Sequence, residues 1–229
     1  LGSRLTEQEG GAVRVKVKDD VNPNNRAVAV RCALSWMITE KPIRARAPTT
    51  RMKVTVTFMR MTRPLKRPAH NLPLGWRLEQ IEPTLAYYRG LQDRVGRDYC
   101  WWMRQASSDA DLTAFLESKT AEIGLLMQGD TPRGFYELDL SDKKQINLAY
   151  FGLLPDAIGQ GVGRAFLESV VARAWSFGPS ELLVNTCTAD HPRALSFYKD
   201  VGFTPVRAVD EVWDVPQRLG LVIPERFRV

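Results

Sequence analysis

The stretch Ile158-Gly159-Gln160-Gly161-Val162-Gly163-Arg164 carries the strongest structural signal in this chain. It follows an apolar run over residues 148–154 that is typical of a buried strand, and it leads into a helical pattern over residues 165–175. Three glycines at a helix entrance leave the first backbone N–H groups bare at the positive end of the helix dipole. The stretch therefore predicts a binding site for a phosphate or a diphosphate.

Two common glycine-rich phosphate sites do not fit this spacing. A P-loop requires Gly-x-x-x-x-Gly-Lys followed by Ser or Thr, whereas Arg164 and Ala165 follow the last glycine here. A dinucleotide fingerprint requires Gly-x-Gly-x-x-Gly and an acidic residue about 20 residues further on. The spacing here is Gly-x-Gly-x-Gly, and Glu181 falls at the start of the next predicted strand.

A second segment, residues 190–203, has helix signals of its own. Asp190 is a good N-cap residue, Pro192 suits a first turn, and Gly202 suits the left-handed position at a helix C-terminus. Helical spacing places four side chains on one face of this predicted helix: Ala194, Leu195, Tyr198 and Val201.

Together the two segments resemble the GNAT superfamily of N-acetyltransferases. Gly161 and Gly163 match the small positions of its acyl-CoA diphosphate loop, Gln/Arg-x-x-Gly-x-Gly/Ala, whereas Ile158 replaces the usual polar residue. The ending Tyr198-x-x-x-Gly202-Phe203 resembles the last helix of the same superfamily. The resemblance covers about residues 53–210. It implies an α/β (α+β) fold whose mixed, mostly antiparallel central sheet has a splayed strand pair and is flanked by helices.

The resemblance also implies a co-substrate and its binding residues. The co-substrate is acetyl-CoA or another acyl-CoA, and no metal is implied. The diphosphate is implied to bind the turn through the following residues: Gly159, Gln160, Gly161, Val162, Gly163 and Arg164. The pantetheine arm is implied to lie beside Leu153, Leu154 and Asn185, with a backbone N–H near Leu153 facing the thioester oxygen. Tyr198 is the implied acid that protonates the departing thiolate.

The base is a separate question, because an amine with a pKa near 10 needs an acceptor for its proton. Glu137, on a predicted strand beside the cleft, is the leading candidate, and the alternative is an exposed strand carboxylate. Asn147, Tyr150 and His191 are weaker candidates. Cys187 has no base partner in the sequence and is not favoured as a nucleophile.

The remaining pattern predicts the other elements of the fold. Strands are predicted over residues 53–59, 76–81, 122–127, 134–140, 145–154 and 181–187, with two short closing strands over 203–208 and 211–215. Helices are predicted over residues 84–95 and 109–118. The strand at 53–59 would be the first of the resembling fold, and the three strands between 122 and 154 would form an antiparallel meander. Five aromatic residues of the implied acceptor wall belong to an acceptor pocket or to the core: Tyr87, Tyr88, Tyr99, Trp101 and Trp102.

The charge is unevenly distributed along the chain. Residues 1–69 carry 15 Lys or Arg against 5 Asp or Glu, whereas the other residues carry 17 against 21. We therefore expect two parts: a basic N-terminal extension, residues 1–51, that is poorly ordered or non-native, and a GNAT-like acetyltransferase domain, residues 52–229. Because the sequence does not begin with Met, a native start near Met52 is one hypothesis. Three widely spaced cysteines and the lack of any apolar run near ~20 residues favour a cytoplasmic protein that does not enter a membrane.

The sequence thus predicts an acyl-CoA-dependent N-acyltransferase that moves acetyl directly to a primary amine. Its partner would be a small-molecule or protein amine, and a homodimer stays open. Two alternatives remain. One is a non-catalytic acyl-CoA sensor on the same scaffold, and the other is a protein that binds nucleic acid through its basic arm. The second is less favoured because the arm lacks interleaved aromatics.

Overall fold

A computed structural model describes residues 47–229 of the chain. The predictions that concern residues 1–46, which make up most of the basic extension, lie outside the described residues. The strands are β1 (Thr49–Met61), β2 (Trp76–Ile81), β3 (Ala121–Gln128), β4 (Thr131–Asp139), β5 (Gln145–Leu153), β6 (Glu181–Cys187) and β7 (Thr204–Pro216). The helices are α1 (Leu85–Gly96), α2 (Met103–Ala106), α3 (Asp109–Glu117), α4 (Gly163–Trp175) and α5 (Ala194–Val201).

All seven strands belong to one sheet with the order β2-β3-β4-β5-β6-β1-β7. Every neighbouring pair is antiparallel except β5 and β6, which run parallel. The predicted antiparallel meander is confirmed as β3, β4 and β5, and β2 extends it by one strand at the edge. The fold is therefore the predicted one, a mixed, mostly antiparallel sheet with helices against it.

The first strand has an unexpected place in this sheet. β1 lies between β6 and β7, near the opposite edge from β2, and pairs with β7 over almost its whole length. Its alternating side chains enter the core, since Met52, Val54 and Val56 are almost fully buried. The part of the chain expected to follow the extension is thus an interior strand, and its pairing begins at Thr49.

The end of the sheet differs from the prediction in one respect. Residues 204–216 form one continuous strand, β7, rather than two short closing strands. The twelve Cα partnerships with β1 run through the predicted break at 209–210, with one irregularity near Phe58. Because β1 is itself a 13-residue strand, it supports a partner of the same length.

Helices cover the sheet on two sides, and the two predicted over residues 84–95 and 109–118 are present as α1 and α3, whereas the short α2 was not predicted. The side chains of Thr84 and Ser108 cap α1 and α3 through the N–H groups of Tyr87 and Asp111. The largest core cluster joins the sheet to α4 and α5, and a second one joins it to α1. Among the helices of residues 47–229, none combines the length and apolar character needed to cross a bilayer.

Candidate active site

The two parallel strands at the centre of the sheet separate halfway along their length. β5 and β6 pair only from Gln145 with Glu181 to Leu148 with Val184. Beyond that point β5 continues beside β4 as far as Leu153, and β6 continues beside β1 as far as Cys187. The backbone edges of both strands are therefore unpaired with each other at this end, which opens a split in the sheet directly before the glycine turn.

The glycine turn lies at the open end of this split. Gly159 and Gly161 have φ angles of +85° and +75°, and a Cβ at either position would meet no atom within 4 Å. Val162 precedes α4 without a side-chain cap, and the first bond into the helix runs from the Phe166 N–H to the Val162 carbonyl, 3.0 Å. The N–H groups of the first α4 residues, Gly163, Arg164 and Ala165, thus have no carbonyl in a preceding turn of their own helix, as an anion site requires. The Gln160 N–H, in contrast, donates to the Ala157 carbonyl at 3.4 Å.

Backbone polarity at the end of β5 distinguishes two neighbouring leucines. The Leu154 N–H donates to the Arg133 carbonyl at 2.8 Å, so it faces the β4 side. Successive N–H groups in a strand point to opposite edges, so the Leu153 N–H faces the split. On β6, Asn185 directly follows Val184, the last residue that pairs with β5, and it is exposed. The split is therefore lined by backbone N–H groups of β5, including that of Leu153, and Asn185 lies where β6 leaves β5.

Tyr198 lies on α5, is 8% exposed, and packs edge-on against Phe203 with 5.9 Å between ring centroids. Burial, followed by the negative charge of Asp190, raises the pKa of Tyr198 above its ordinary value. The hydroxyl therefore keeps its proton at neutral pH. The predicted left-handed end of this helix is present at Gly202, with φ +118°.

Glu137 is fully buried, which makes the alternative of an exposed strand carboxylate wrong. Arg104 from α2 forms an ion pair with its Oε1 atom, and the Tyr88 hydroxyl from α1 donates to its Oε2 atom. Gln92 then donates to the Tyr88 hydroxyl at 2.9 Å. Burial, followed by the charge of Glu137, raises the pKa of Tyr88. Both carboxylate oxygens are thus engaged inside the protein, and no oxygen of Glu137 faces solvent.

Asp190 has a role that the sequence did not reveal. The residue before α5 is Arg193, so the prediction of Asp190 as the N-cap is wrong. Its Oδ1 atom accepts from Trp101 Nε1 at 3.2 Å, and its Oδ2 atom accepts from the Thr186 hydroxyl at 2.7 Å and from the Cys187 N–H at 2.8 Å. Asp190 therefore joins the end of β6 to the connection between α1 and α2. One partner lies 89 residues away, so local sequence gives no signal for it.

The aromatic residues of the predicted acceptor wall have different environments. The Trp101 ring lies 5.0 Å from Tyr150 and 6.2 Å from Phe135, beside the split. Gly96 makes room for it, since a Cβ there would lie 2.5 Å from the ring. Trp102 lies against Trp213 instead, and Tyr87 is exposed. Tyr99 lies edge-on to His191 with 6.2 Å between ring centroids, and Tyr88 is bound to Glu137 on β4.

Cys187 is a poor nucleophile in this setting. Burial, followed by the charge of Asp190, raises the pKa of its thiol to about 12. The thiol is therefore protonated at neutral pH, and the thiolate is the reactive form. No group of His, Cys, Asp or Glu side chains within residues 47–229 has an arrangement that could hold a metal ion.

Comparison with known families agrees with this geometry. Residues 79–203, more than half of the chain, match the family model described as the acetyltransferase (GNAT) family. The chain belongs to the GNAT family. The matched region contains the glycine turn, both split strands and Tyr198. Membership supports acyl-CoA-dependent acyl transfer in general terms.

Solved structures show the same fold at low identity. A GCN5-related N-acetyltransferase from Sphaerobacter thermophilus superposes with a TM-score of 0.52 at 16% identity, covering 83% of this chain and 57% of the other. One from Kribbella flavida has a TM-score of 0.50 at 16% identity, covering 76% and 63%. This GNAT protein therefore spans less than two thirds of the length of either. A comparison with curated proteins returned no match.

Proposed function

We propose that this GNAT protein is an N-acyltransferase that moves acetyl from acetyl-CoA to a primary amine. The observation that supports this most directly is the split between β5 and β6, which opens beside an uncapped glycine turn. An extended pantetheine arm needs exposed strand edges, and a diphosphate needs bare N–H groups at a helix start. This end of the sheet offers both within a few residues.

In this proposal the turn holds the diphosphate and the split holds the thioester. The cofactor-binding residues are those predicted: Leu153, Leu154, Gly159, Gln160, Gly161, Val162, Gly163, Arg164 and Asn185. Among them, the Leu153 N–H donates to the thioester oxygen as negative charge develops on it. Leu154 contributes by its buried side chain, because its N–H is already used by β4.

The proton balance involves Tyr198 and solvent. The acceptor ammonium first loses one proton to water, and the neutral amine attacks the thioester carbon to form the C–N bond. As the C–S bond breaks, Tyr198 gives its proton to the thiolate, and the proton leaving the new amide nitrogen restores the tyrosine. The raised pKa of Tyr198 suits this role, because the acid must be protonated when the thiolate departs.

Glu137 enters the proposal in a changed role. Its oxygens are held by Arg104 and Tyr88, so a substrate amine has no direct access to them. We propose that it is a positioning residue, which fixes α1 and α2 against β4 and so shapes the acceptor wall. The acceptor itself, a small-molecule or protein amine, and the cytoplasmic location stay predictions.

A release assay tests the function. Free thiol is measured after mixing the protein with acetyl-CoA and a broad panel of primary amines, while CoA binding is measured in parallel by calorimetry. Thiol release that requires both an amine and the protein, together with the acetylated amine in the products, is the expected result. Tight CoA binding with no thiol release from any amine would favour the acyl-CoA sensor instead.

A further inference from the structure

The connection from β1 to β2, residues 62–75, is rich in basic residues, and the proposed function assigns no role to them. We call it the basic strap, because it contains Arg63, Lys66 and Arg67 and no acidic residue. It lies on the side of the sheet that carries α4, where Leu65 and Leu72 pack against the core cluster that contains the α4 side chains Phe166 and Leu167. The strap is thus a fixed cover over part of α4.

One buried carboxylate holds the strap to α4. Glu168 is 1% exposed. It accepts from Arg67 Nη2 at 3.0 Å, from the His70 backbone N–H at 2.8 Å, and from His70 Nδ1 at 2.7 Å. Arg164, one turn earlier on α4, adds a bond from Nε at 2.9 Å. Two arginines therefore converge on a single acidic side chain.

The charge of this cluster does not cancel. Burial opposes ionisation of Glu168, but the hydrogen bonds from the backbone and ring of His70 and from Arg164 outweigh it and lower the pKa of Glu168 to about 2. The carboxylate is therefore ionised at neutral pH and contributes one negative charge. Arg67 and Arg164 contribute two positive charges, so this cluster keeps one net positive charge.

The cluster lies close to the glycine turn, so its positive charge can bind a second anionic group of the same ligand. Arg164 immediately follows Gly163, and Glu168 lies five residues into α4, about 7.5 Å along the helix axis at 1.5 Å per residue. Arg164 also donates from Nη2 to the Asp200 carbonyl at 3.3 Å, but the side chains of Arg67 and Arg164 are about half exposed, so each guanidinium group keeps a solvent-facing part. A second phosphate on a ligand whose diphosphate occupies the turn would therefore meet both guanidinium groups.

We propose, resting on the function proposed above, that Arg67 and Arg164 form a phosphomonoester subsite for the 3′-phosphate on the ribose of acyl-CoA. That phosphate is attached to the same nucleoside as the diphosphate, which keeps the two groups close together. Guanidinium groups suit a phosphate because they donate paired hydrogen bonds to its oxygens. Glu168 positions both arginines. The strap brings Arg67 to this carboxylate, which lies 101 residues further along the chain.

The test compares CoA with 3′-dephospho-CoA, which lacks only this phosphate. Dissociation constants for both are measured by calorimetry at one fixed salt concentration for the parent protein, for Arg67→Gln and for Arg63→Gln. Arg63→Gln is the matched control, because it removes the same charge from the same strap at an exposed position. The readout is the ratio of the two dissociation constants within each protein, so a general loss of stability affects both ligands alike.

The parent protein should prefer CoA over 3′-dephospho-CoA by about 10-fold or more, the size expected for hydrogen bonds to a charged group. Arg67→Gln should lose most of that preference, and Arg63→Gln should keep it. Equal binding of the two ligands by the parent protein, or an unchanged preference in Arg67→Gln, would overturn the subsite and leave the acyltransferase proposal intact. Failure of the parent protein to bind either ligand would overturn both.

Discussion

At the scale of single residues, Tyr198 and Glu137 differ in what surrounds them. Tyr198 is buried without an ion pair, and burial, followed by Asp190, raises its pKa. Glu137 is buried with a cation against one oxygen and a hydroxyl against the other. The first setting favours a group that donates a proton once per turnover. The second favours a group that holds its neighbours in place.

Replacing Tyr198 tests the acid. Tyr198→Phe removes the hydroxyl and keeps the ring against Phe203, so kcat should fall by about 100-fold while the dissociation constant of CoA changes little. In the parent protein, the raised pKa should keep the acid active as pH rises, with no loss of rate from tyrosine ionisation until above pH 10. Steady-state rates against pH, with CoA titrations, check both points. A kcat within twofold of the parent would exclude Tyr198 as the acid.

Replacing Glu137 tests the buried ion pair. Glu137→Gln leaves the Arg104 charge in the interior without its carboxylate, so the free energy of unfolding should fall by about 3 kcal/mol. The control is Glu79→Gln, the same change in the exposed pair with Arg77, which should cost less than about 1 kcal/mol. Urea unfolding of both variants measures the difference. Similar small losses in the two variants would show that the Arg104 pair is not stabilising the fold.

At the scale of elements, the split and the glycine turn form one unit. Gly161→Ala places a Cβ on a residue with φ +75°, so the turn must change its backbone, and CoA affinity should fall by about 10-fold. Gly129→Ala is the matched control, because Gly129 has φ +56° and equally open surroundings in the turn between β3 and β4. Calorimetric titration with CoA compares them. Equal CoA affinities in the two variants would show that the glycine turn does not contribute to CoA binding.

The sequence was sufficient for local elements and insufficient for distant pairings. The glycine turn, β6 and the Gly202 helix end follow from spacing and residue type over fewer than 15 residues. The place of β1 depends on partners about 120 to 170 residues away, so no local pattern contains it. The same reason hid the ion pair of Glu137 with Arg104 and the contact of Asp190 with Trp101. The residue type of Glu137 and Asp190 made them candidates, but partners distant in sequence determine whether their oxygens are exposed to solvent or bound to other side chains.

At the scale of the whole molecule, β1 joins the edge strand β7 to the rest of the sheet. It is the partner of β7 in the described sheet order, and it adds Met52, Val54 and Met59 to the core. Its first residues also contact the C-terminal segment: the Gln217 N–H donates to the Pro48 carbonyl at 2.9 Å, and the Val229 N–H donates to the Arg51 carbonyl at 3.3 Å. We therefore propose that the residues from Pro48 to Arg51, which precede Met52, also belong to the folding unit.

Truncation tests this boundary. A chain of residues 47–229 should unfold cooperatively, because all described strand pairings are kept. A chain of residues 52–229 should fold with a lower Tm, since it loses the pairing of Thr49, Thr50 and Arg51 with β7. A chain of residues 62–229 should not fold cooperatively, because β7 loses its neighbour. Differential scanning calorimetry compares the Tm values of the three chains. Cooperative unfolding of the shortest chain would show that β1 is not needed for folding.

We propose that backbone amides of the glycine turn bind the diphosphate of CoA where β5 and β6 separate. The most direct test of this proposal is a titration of the ¹⁵N-labelled protein with CoA, followed by the backbone amide resonances. We expect the largest shifts at saturation at residues 159–164, with further shifts at Leu153 and Asn185. Saturation of CoA binding with those amides unmoved, and the shifts gathered elsewhere, would contradict it.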